Sequence, residues 1–398
     1  MNNKNPDLAE TMSPGQTLHH LHDSEDLEGK SYQLSTNLRF LHELGRGGMG
    51  KVYLAEIESD GVSEKVAVKF SRHTQLDHLA KEAQISSGLR NDYIAKTRSF
   101  HIIEGDPPSG AIIMDYVDGE DLLKISERHS QLGLKLPQKF IGLIGYLCCE
   151  GLAYSHRQGA IHRDIKPANI MIDNESGGPK LIDYGLGVLS KDTPKIIGEV
   201  CGTLDYISPE ALRGLKIGHK TDIYSLGMTL DSLVRGESFL ARSSESARSG
   251  SFTDRAKATA ELQEKGYTPL SRLPGIHPKL SEIIETAVQL KPEDRYLDAK
   301  TMMDKLSGFN YEQGLGFGPV RIVFKEYLEL IRHNDLPNHL NALKIDNKTK
   351  PKEDLNELIE TLKSSGHARD YQSVGGELLL ETLQGNYREI IPGYLPIG

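Results

Sequence analysis

Tryptophan is absent from the 398 residues, cysteine occurs three times, and aromatic residues make up only 6%. Three unevenly spaced thiols, Cys148, Cys149 and Cys201, cannot make a disulfide framework and fit a reducing compartment. No run of about 18 uncharged apolar residues occurs, so no membrane span is expected. The first residues lack the apolar segment of a signal peptide, which leads to a cytoplasmic expectation. Basic charge is also short: 47 Lys and Arg face 56 Asp and Glu, a formal net charge of -9. Such a chain draws neither nucleic acid nor anionic membrane from a distance, and neither is expected as a partner. What remains, 37% hydrophobic residues, is lean but enough for a packed core. The length suits two or three domains.

One stretch organises the rest: Ile161-His162-Arg163-Asp164-Ile165-Lys166-Pro167-Ala168-Asn169. Before it, Phe140, Ile144, Leu147 and Leu152 recur at helical spacing. After it comes a short apolar run, Ile170-Met171-Ile172. Turn chemistry alone accounts for Asp, Asn, Lys and Pro in a loop. It does not account for their spacing, nor for Asp183-Tyr184-Gly185 behind a second apolar run, Lys180-Leu181-Ile182.

Upstream, the strand-like Leu38 to Leu44 runs into Gly45-Arg46-Gly47-Gly48-Met49-Gly50, and Lys51 to Ala55 reads as a second strand. Glycines let backbone N–H groups face phosphate oxygens. Strand–loop–strand order disfavours a dinucleotide site, where the loop opens a helix. A third strand, Val66 to Phe70, carries Lys69 among apolar residues. Alone, Lys69 reads as an exposed cation on a half-buried strand. A helix follows with Leu76, Leu79, Ala80 and Ala83 at helical spacing; beyond Asp77, Glu82 is its one acid before Asp92. Cys148 and Cys149 sit in an apolar helical pattern and read as core. Cys201 reads as buried, with no neighbouring cation evident to lower its pKa.

These motifs, in this order, resemble the protein kinase family. Lys166, two residues after Asp164, resembles the Ser/Thr branch. The wording of Gly45 to Tyr53 and of His162 to Met171 is similar to the eukaryotic-like Ser/Thr kinases of bacteria. The resemblance implies an α+β, two-lobed protein kinase fold. A small antiparallel β-rich N-lobe would span 38–118 and a larger helical C-lobe 119–308. An acidic, disordered tail, 1–37, would precede them. His19, His20 and His22 in that tail read as solvated rather than as metal ligands. Residues 309–398 match no kinase element and are read as a region that binds a partner or docks back to inhibit.

The resemblance also implies ATP and Mg²⁺, with Mn²⁺ as the alternative ion, and a protein substrate whose Ser or Thr hydroxyl receives the γ-phosphoryl group. Asp164 would take the hydroxyl proton and Lys166 would steady the phosphoryl charge. Asn169 and Asp183 would hold the metal. Lys69, fixed by Glu82, would bind the nucleotide phosphates. Leu44, Gly45, Gly47, Gly48, Gly50, Val52 and Ala67 would cover the nucleotide. Met114 would flank the adenine pocket, backbone groups of Asp115 and Val117 would pair with adenine, Met171 would floor it, and Asp121 would reach the ribose. Ala111 to Gly119 would be the strand and linker that form the hinge between lobes.

The segment from Gly185 to Ser208-Pro209-Glu210 resembles an activation segment. Thr193, and secondarily Ser190, are its expected phosphosites, self-phosphorylated and read by Arg163. Thr203 would contact Asp164, Asp222 would hold the catalytic-loop backbone, and Arg295 would pair with Glu210. Tyr184 stands where the family has Phe, so its phenol needs a polar partner if buried. Two other classes compete. A nucleotide-binding scaffold without activity conflicts with Lys69, Asp164, Asn169 and Asp183 all being present. A small-molecule phosphotransferase lacks the reason for a segment ending in Pro209-Glu210.

Overall fold

The computed structural model describes residues 31–33, 37–47, 50–59, 62–71, 75–103, 108–131, 134–192, 201–242, 251–265 and 267–313. They fall into two compact units. One comprises the chain up to Val117 with Asp183–Leu189; the other comprises Asp118–Ile182 and the chain from Ser190.

The first unit is a six-stranded antiparallel sheet with one helix. Its strands are β1 (Ser31–Gln33), β2 (Asn37–Gly47), β3 (Gly50–Ser59), β4 (Val62–Ser71), β5 (Thr97–Ile103) and β6 (Ser109–Asp115), in the order β1-β2-β3-β4-β6-β5. Helix α1 (Leu76–Ser86) lies between β4 and β5 in sequence. Strand side chains alternate between faces. Leu38, Phe40, Tyr53, Val66, Val68, Phe70 and Ile113 therefore meet on one face, with Phe40, Tyr53 and Phe70 rings 5.5 to 6.1 Å apart. On the other face, Leu79 and Ala83 of α1 pack on Ile112, flanked by Phe100 and Met114. From Val66 onward β4 is buried on both faces, and there its sequence is apolar but for Lys69.

Strand β1 corrects the expectation that 1–37 is a disordered tail. Ser31, Tyr32 and Gln33 pair with Arg39, Leu38 and Asn37. Three residues on a sheet edge are held by ladder hydrogen bonds and carry no readable periodicity. Residues 1–30, with His19, His20 and His22, lie outside the described residues.

The second unit is mainly helical. A three-stranded antiparallel sheet, ordered β10-β9-β7, is made by β7 (Gly119–Asp121), β9 (Ile170–Asp173) and β10 (Pro179–Leu181). The two-residue strand β8 (Ala160–Ile161) also lies in this unit, whereas β11 (Val188–Leu189) belongs to the first. The helices are α2 (Leu122–Gln131), α3 (Gln138–Arg157), α4 (Pro209–Leu212), α5 (His219–Arg235), α6 (Phe252–Glu264), α7 (Pro278–Ala287) and α8 (Ala299–Glu312). α5 is buried from Thr221 to Val234 and forms the axis of this unit. Helix α8 runs to Glu312, past the expected domain end at 308. Residues beyond 313, the bulk of the region read as a docking segment, lie outside the described residues.

Helices α3 and α8 pack through glycine. A Cβ at Gly142 would stand 2.4 Å from a ring carbon of Phe309 and 2.7 Å from Asn310 Oδ1. Phe309 is fully buried and has nowhere to move. Gly142→Ala is therefore expected to lower unfolding free energy by about 1–2 kcal/mol, overpacking outweighing the gain in helix propensity. A urea titration checks this; an unchanged midpoint would mean the two helices separate without cost.

Candidate active site

In the first unit, pairing registers set one row across the sheet: Gly45, Val52, Lys69 and Ile112. Alternation turns Lys69 towards the face that α1 covers. Asp77 is exposed there, whereas Glu82 is buried. Lys69 Nζ lies 2.9 and 2.7 Å from the two Glu82 oxygens and 2.7 Å from Asp183 Oδ1. α1 begins only at Leu76, and a short helix suffices to bring Glu82 into this contact. Burial lifts the Glu82 carboxyl to about 7 against the pull of the ammonium. Burial would lower Lys69, but Asp183 and Glu82 together raise it. These directions oppose each other within one ion pair. Three contacts under 3 Å to two carboxylates favour the charged Lys69.

Asp183 takes the left-handed conformation, φ 64°, and its Oδ1 also accepts from Gly185 N–H at 3.1 Å. Its side chain remains 42% exposed. Gly50 is the glycine whose conformation is forced in the loop between β2 and β3. Its φ is +134°, and a Cβ there would sit 1.7 Å from Phe70 O. Gly45 and Gly47 have nothing within 4 Å of a would-be Cβ, so their backbone is open to an approaching group. Gly48 lies outside the described residues. Val52 and Met114 are half-buried, Ala67 is buried opposite Met114, and Leu44 is exposed. Asp115 already donates its N–H to Lys96 O at 2.9 Å, and its carboxylate holds Arg98 Nε at 2.6 Å. Val117 is buried.

In the second unit the loop after β8 gathers around Asp164. Its Oδ1 accepts from Thr203 N–H at 3.1 Å and Thr203 Oγ1 at 2.9 Å. Its Oδ2 accepts from Asn169 Nδ2 at 3.0 Å and lies 2.6 Å from Lys166 Nζ. Lys166 Nζ also donates to Thr203 Oγ1 at 2.8 Å. Asn169 Nδ2 gives a further bond to Asp164 O at 2.8 Å. With its amide nitrogen so committed, Asn169 presents Oδ1 without a donor among the described residues. A hard oxygen of this kind, like the Asp183 carboxylate, suits magnesium. Met171 lies opposite Asp121 across the β7–β9 pair. The Asp121 carboxylate accepts from Lys124 N–H at 3.0 Å and pairs with Lys124 Nζ at 3.1 Å, at the start of α2.

Two buried carboxylates brace this part of the unit, and the first holds the loop itself. Asp222, fully buried on α5, accepts from His162 N–H at 2.9 Å, Arg163 N–H at 2.8 Å and His156 Nε2 at 2.8 Å. Burial pushes its pKa up, but these bonds and the two histidines outweigh it and hold it below the ordinary carboxylate range. They also secure Arg163 in the left-handed conformation, φ 69°. Glu210 forms a two-pronged pair with Arg295 at 2.8 and 2.7 Å and accepts from Thr221 Oγ1 at 2.9 Å. Its pKa is also lowered, Arg295 overcoming the effect of burial. Ser208 caps α4 through its hydroxyl. His156 and Thr221 had no signal in the sequence, since His156 meets its partner across 66 residues.

Cys201 departs from expectation. It is half-buried, and the Arg163 guanidinium donates to its sulfur. The cation absent from its sequence neighbourhood arrives from a loop 38 residues away. Cys148 and Cys149 are buried, and burial raises both thiols. Ser190 is exposed and donates its hydroxyl to Gly159 O at 3.0 Å. Thr193 lies outside the described residues.

The protein kinase domain family model matches residues 38–306. The chain is 31% identical over 309 residues to serine/threonine-protein kinase pkn3 of Myxococcus xanthus, covering 73% of this chain and 53% of that protein. It is 30% identical over 270 residues to serine/threonine-protein kinase PknB of Mycolicibacterium smegmatis, covering 65% and 40%. To PknJ of Mycobacterium bovis, also a serine/threonine-protein kinase, it is 32% identical over 269 residues, covering 64% and 42%. The chain spans about half, or less, of the length of these relatives.

Glu210 and Asp222 titrate lower folded than unfolded, so the unfolded chain binds more protons through the ordinary carboxylate range. Their stabilisation is present above that range and lost as pH falls through it. Arg295→Ala is expected to lower stability by about 3–5 kcal/mol at neutral pH, because it strands a buried charge. The deficit should shrink in acid, where Glu210 is protonated. Urea unfolding of both proteins along a pH series checks this; a deficit independent of pH would detach it from Glu210.

Proposed function

The chain belongs to the protein kinase family, and from that premise we propose that it transfers the γ-phosphoryl group of ATP to Ser or Thr hydroxyls of proteins. The observation that carries this reading is Asp164, whose carboxylate is gripped by Thr203, Asn169 and Lys166. A carboxylate held on all sides points one way, and catalysis in this class is mostly positioning and electrostatics.

In this mechanism the hydroxyl oxygen of the substrate forms the new bond to phosphorus as the bond to the departing ADP oxygen breaks. The hydroxyl proton passes to Asp164. Lys166 places its ammonium against the charge of the moving phosphoryl group. Lys69, held charged by Glu82 and Asp183, orients nucleotide phosphates, and the glycine backbone from Gly45 supplies N–H groups to them. Asn169 and Asp183 are the residues that would hold Mg²⁺. Bound there, the ion would supply positive charge to offset that of the nucleotide phosphates. Backbone groups of Asp115 and Val117 would meet adenine, with Leu44, Val52, Ala67, Met114 and Met171 around it. Asp121, engaged at the start of α2, is the weaker candidate for the ribose.

Self-phosphorylation of the segment after Gly185 belongs to this reading, with Thr193 ahead of Ser190. So does a regulatory role for residues 309–398. The hydrogen bonds of Thr203 favour a protein acceptor over a small molecule, because they join the segment ending in Pro209-Glu210 to Asp164.

Incubated with Mg²⁺ and ATP, the wild-type chain is expected to label generic protein substrates. Asp164→Asn should lose about 10²–10⁴-fold in rate. Radiolabel transfer with intact mass measures both. Label found only on amino-sugars offered beside the proteins would overturn the protein-kinase reading; ATP binding without any transfer by the wild-type chain would favour a scaffold.

A further inference from the structure

The second unit carries a cavity of about 520 Å³ beside the catalytic loop. Its walls come from two helices. Leu123, Ser126, Glu127 and Ser130 line it from α2, at spacings that share one helix face. Ser232, Gly236 and Glu237 line it from the end of α5. Gly236 closes α5 in the left-handed conformation, φ 78°, and so turns Glu237 out of the helix at the cavity rim. The remaining wall includes Pro167 and Tyr206. Pro167 follows Lys166 directly, and Tyr206 N–H donates to Thr203 O at 2.9 Å. The cavity is therefore lined by neighbours of Lys166 and Thr203, two of the three residues that grip Asp164.

Charge in this cavity is one-sided. Glu127 and Glu237 are exposed, and neither has a cation or hydrogen-bond partner among the described residues. Nearby cations are engaged elsewhere. Lys124 pairs with Asp121, Arg128 with Glu120 and Arg235 with Asp231. Leu123 and Pro167 supply apolar surface for an aliphatic stem, and the serine hydroxyls supply acceptors around it. Such a chamber fits a long side chain ending in a positive charge, with its stem on apolar surface and its head between carboxylates.

We propose that this cavity selects substrates by receiving an arginine or lysine side chain that flanks the phosphoacceptor residue, with Glu127 and Glu237 as the specificity-determining residues. This rests on the protein-kinase reading above and adds a substrate class to it. The acceptor hydroxyl sits at Asp164, and the basic side chain of the same segment drops between α2 and the end of α5. Glu127 and Glu237 act on binding and take no part in phosphoryl transfer.

The test uses the full chain with Mg²⁺, ATP and synthetic peptides that share one Ser or Thr acceptor. Arg, Ala or Glu is scanned through the positions on either side. At one position or more, Arg should raise kcat/KM over Ala by roughly tenfold, as expected for two partly exposed ion pairs, and Glu should lower it. The doubly substituted Glu127→Gln, Glu237→Gln chain should bring the Arg-to-Ala ratio to about one. Glu127→Lys with Glu237→Lys should invert it in favour of Glu peptides, an outcome that mere loss of structure cannot produce. Equal kcat/KM for Arg and Ala peptides at every position in the wild type overturns the proposal and leaves the kinase reading standing. A ratio that survives in the Gln variant also overturns it. Failure to phosphorylate any peptide or generic protein overturns the kinase reading, and the proposal with it.

Discussion

One buried carboxylate fixes the geometry on which the rest of the second unit depends. Asp222 sits inside α5 with no exposure and spends its oxygens on the amides of His162 and Arg163 and on the ring of His156. Arg163 occupies a backbone conformation that a non-glycine residue adopts at a cost, and the amide bonds to Asp222 secure it. The turn so produced sends Asp164 towards Thr203 and Asn169. A charge this deeply buried adds little to net stability, since desolvation offsets much of the attraction. What its bonds hold is the backbone path through His162 and Arg163.

Lys69 illustrates the same logic in the first unit, carried by the sheet. Period-two alternation along β4 and packing of α1 on Ile112 bring Lys69 and Glu82 together without any local sequence link between them. The ion pair is then a consequence of apolar packing on both faces of one strand. Asp183, a second carboxylate on the same ammonium, ensures that a buried lysine keeps its proton. Each unit thus holds its reactive groups with partners whose positions are set by burial elsewhere.

Much of this was legible from residues alone. The residues of the catalytic loop are contiguous, and their spacing survives in one dimension; so do the glycine loop, Lys69 and Asp183. The two-lobed α+β fold, with its β-rich and helical units, followed from those motifs in order, and the family match agrees. What could not be read depends on contacts between distant segments. His156 meets Asp222, Thr221 meets Glu210, and Arg163 meets Cys201, each across residues with no shared pattern. Cys201 shows why a local reading of reactivity fails, since its cation comes from another loop. Strand β1 escaped notice because edge pairing of three residues leaves no periodicity. The cavity beside α2 was equally invisible, because its acids matter only once the two helices face each other.

The pair between Glu210 and Arg295 has a bearing on how the protein is made. Glu210 lies in α4, soon after Thr203, yet its partner is 85 residues downstream. Synthesis proceeds from the N-terminus, at roughly 5–20 residues per second. The ribosome therefore delivers the whole catalytic loop several seconds before the arginine that anchors its neighbouring segment. During that interval Glu210 has no guanidinium to offset its burial, and its carboxylate gains nothing from leaving water. Final assembly waits for a long-range closure, the slow kind of step in folding. Until Arg295 has emerged, the pair with Glu210 cannot form.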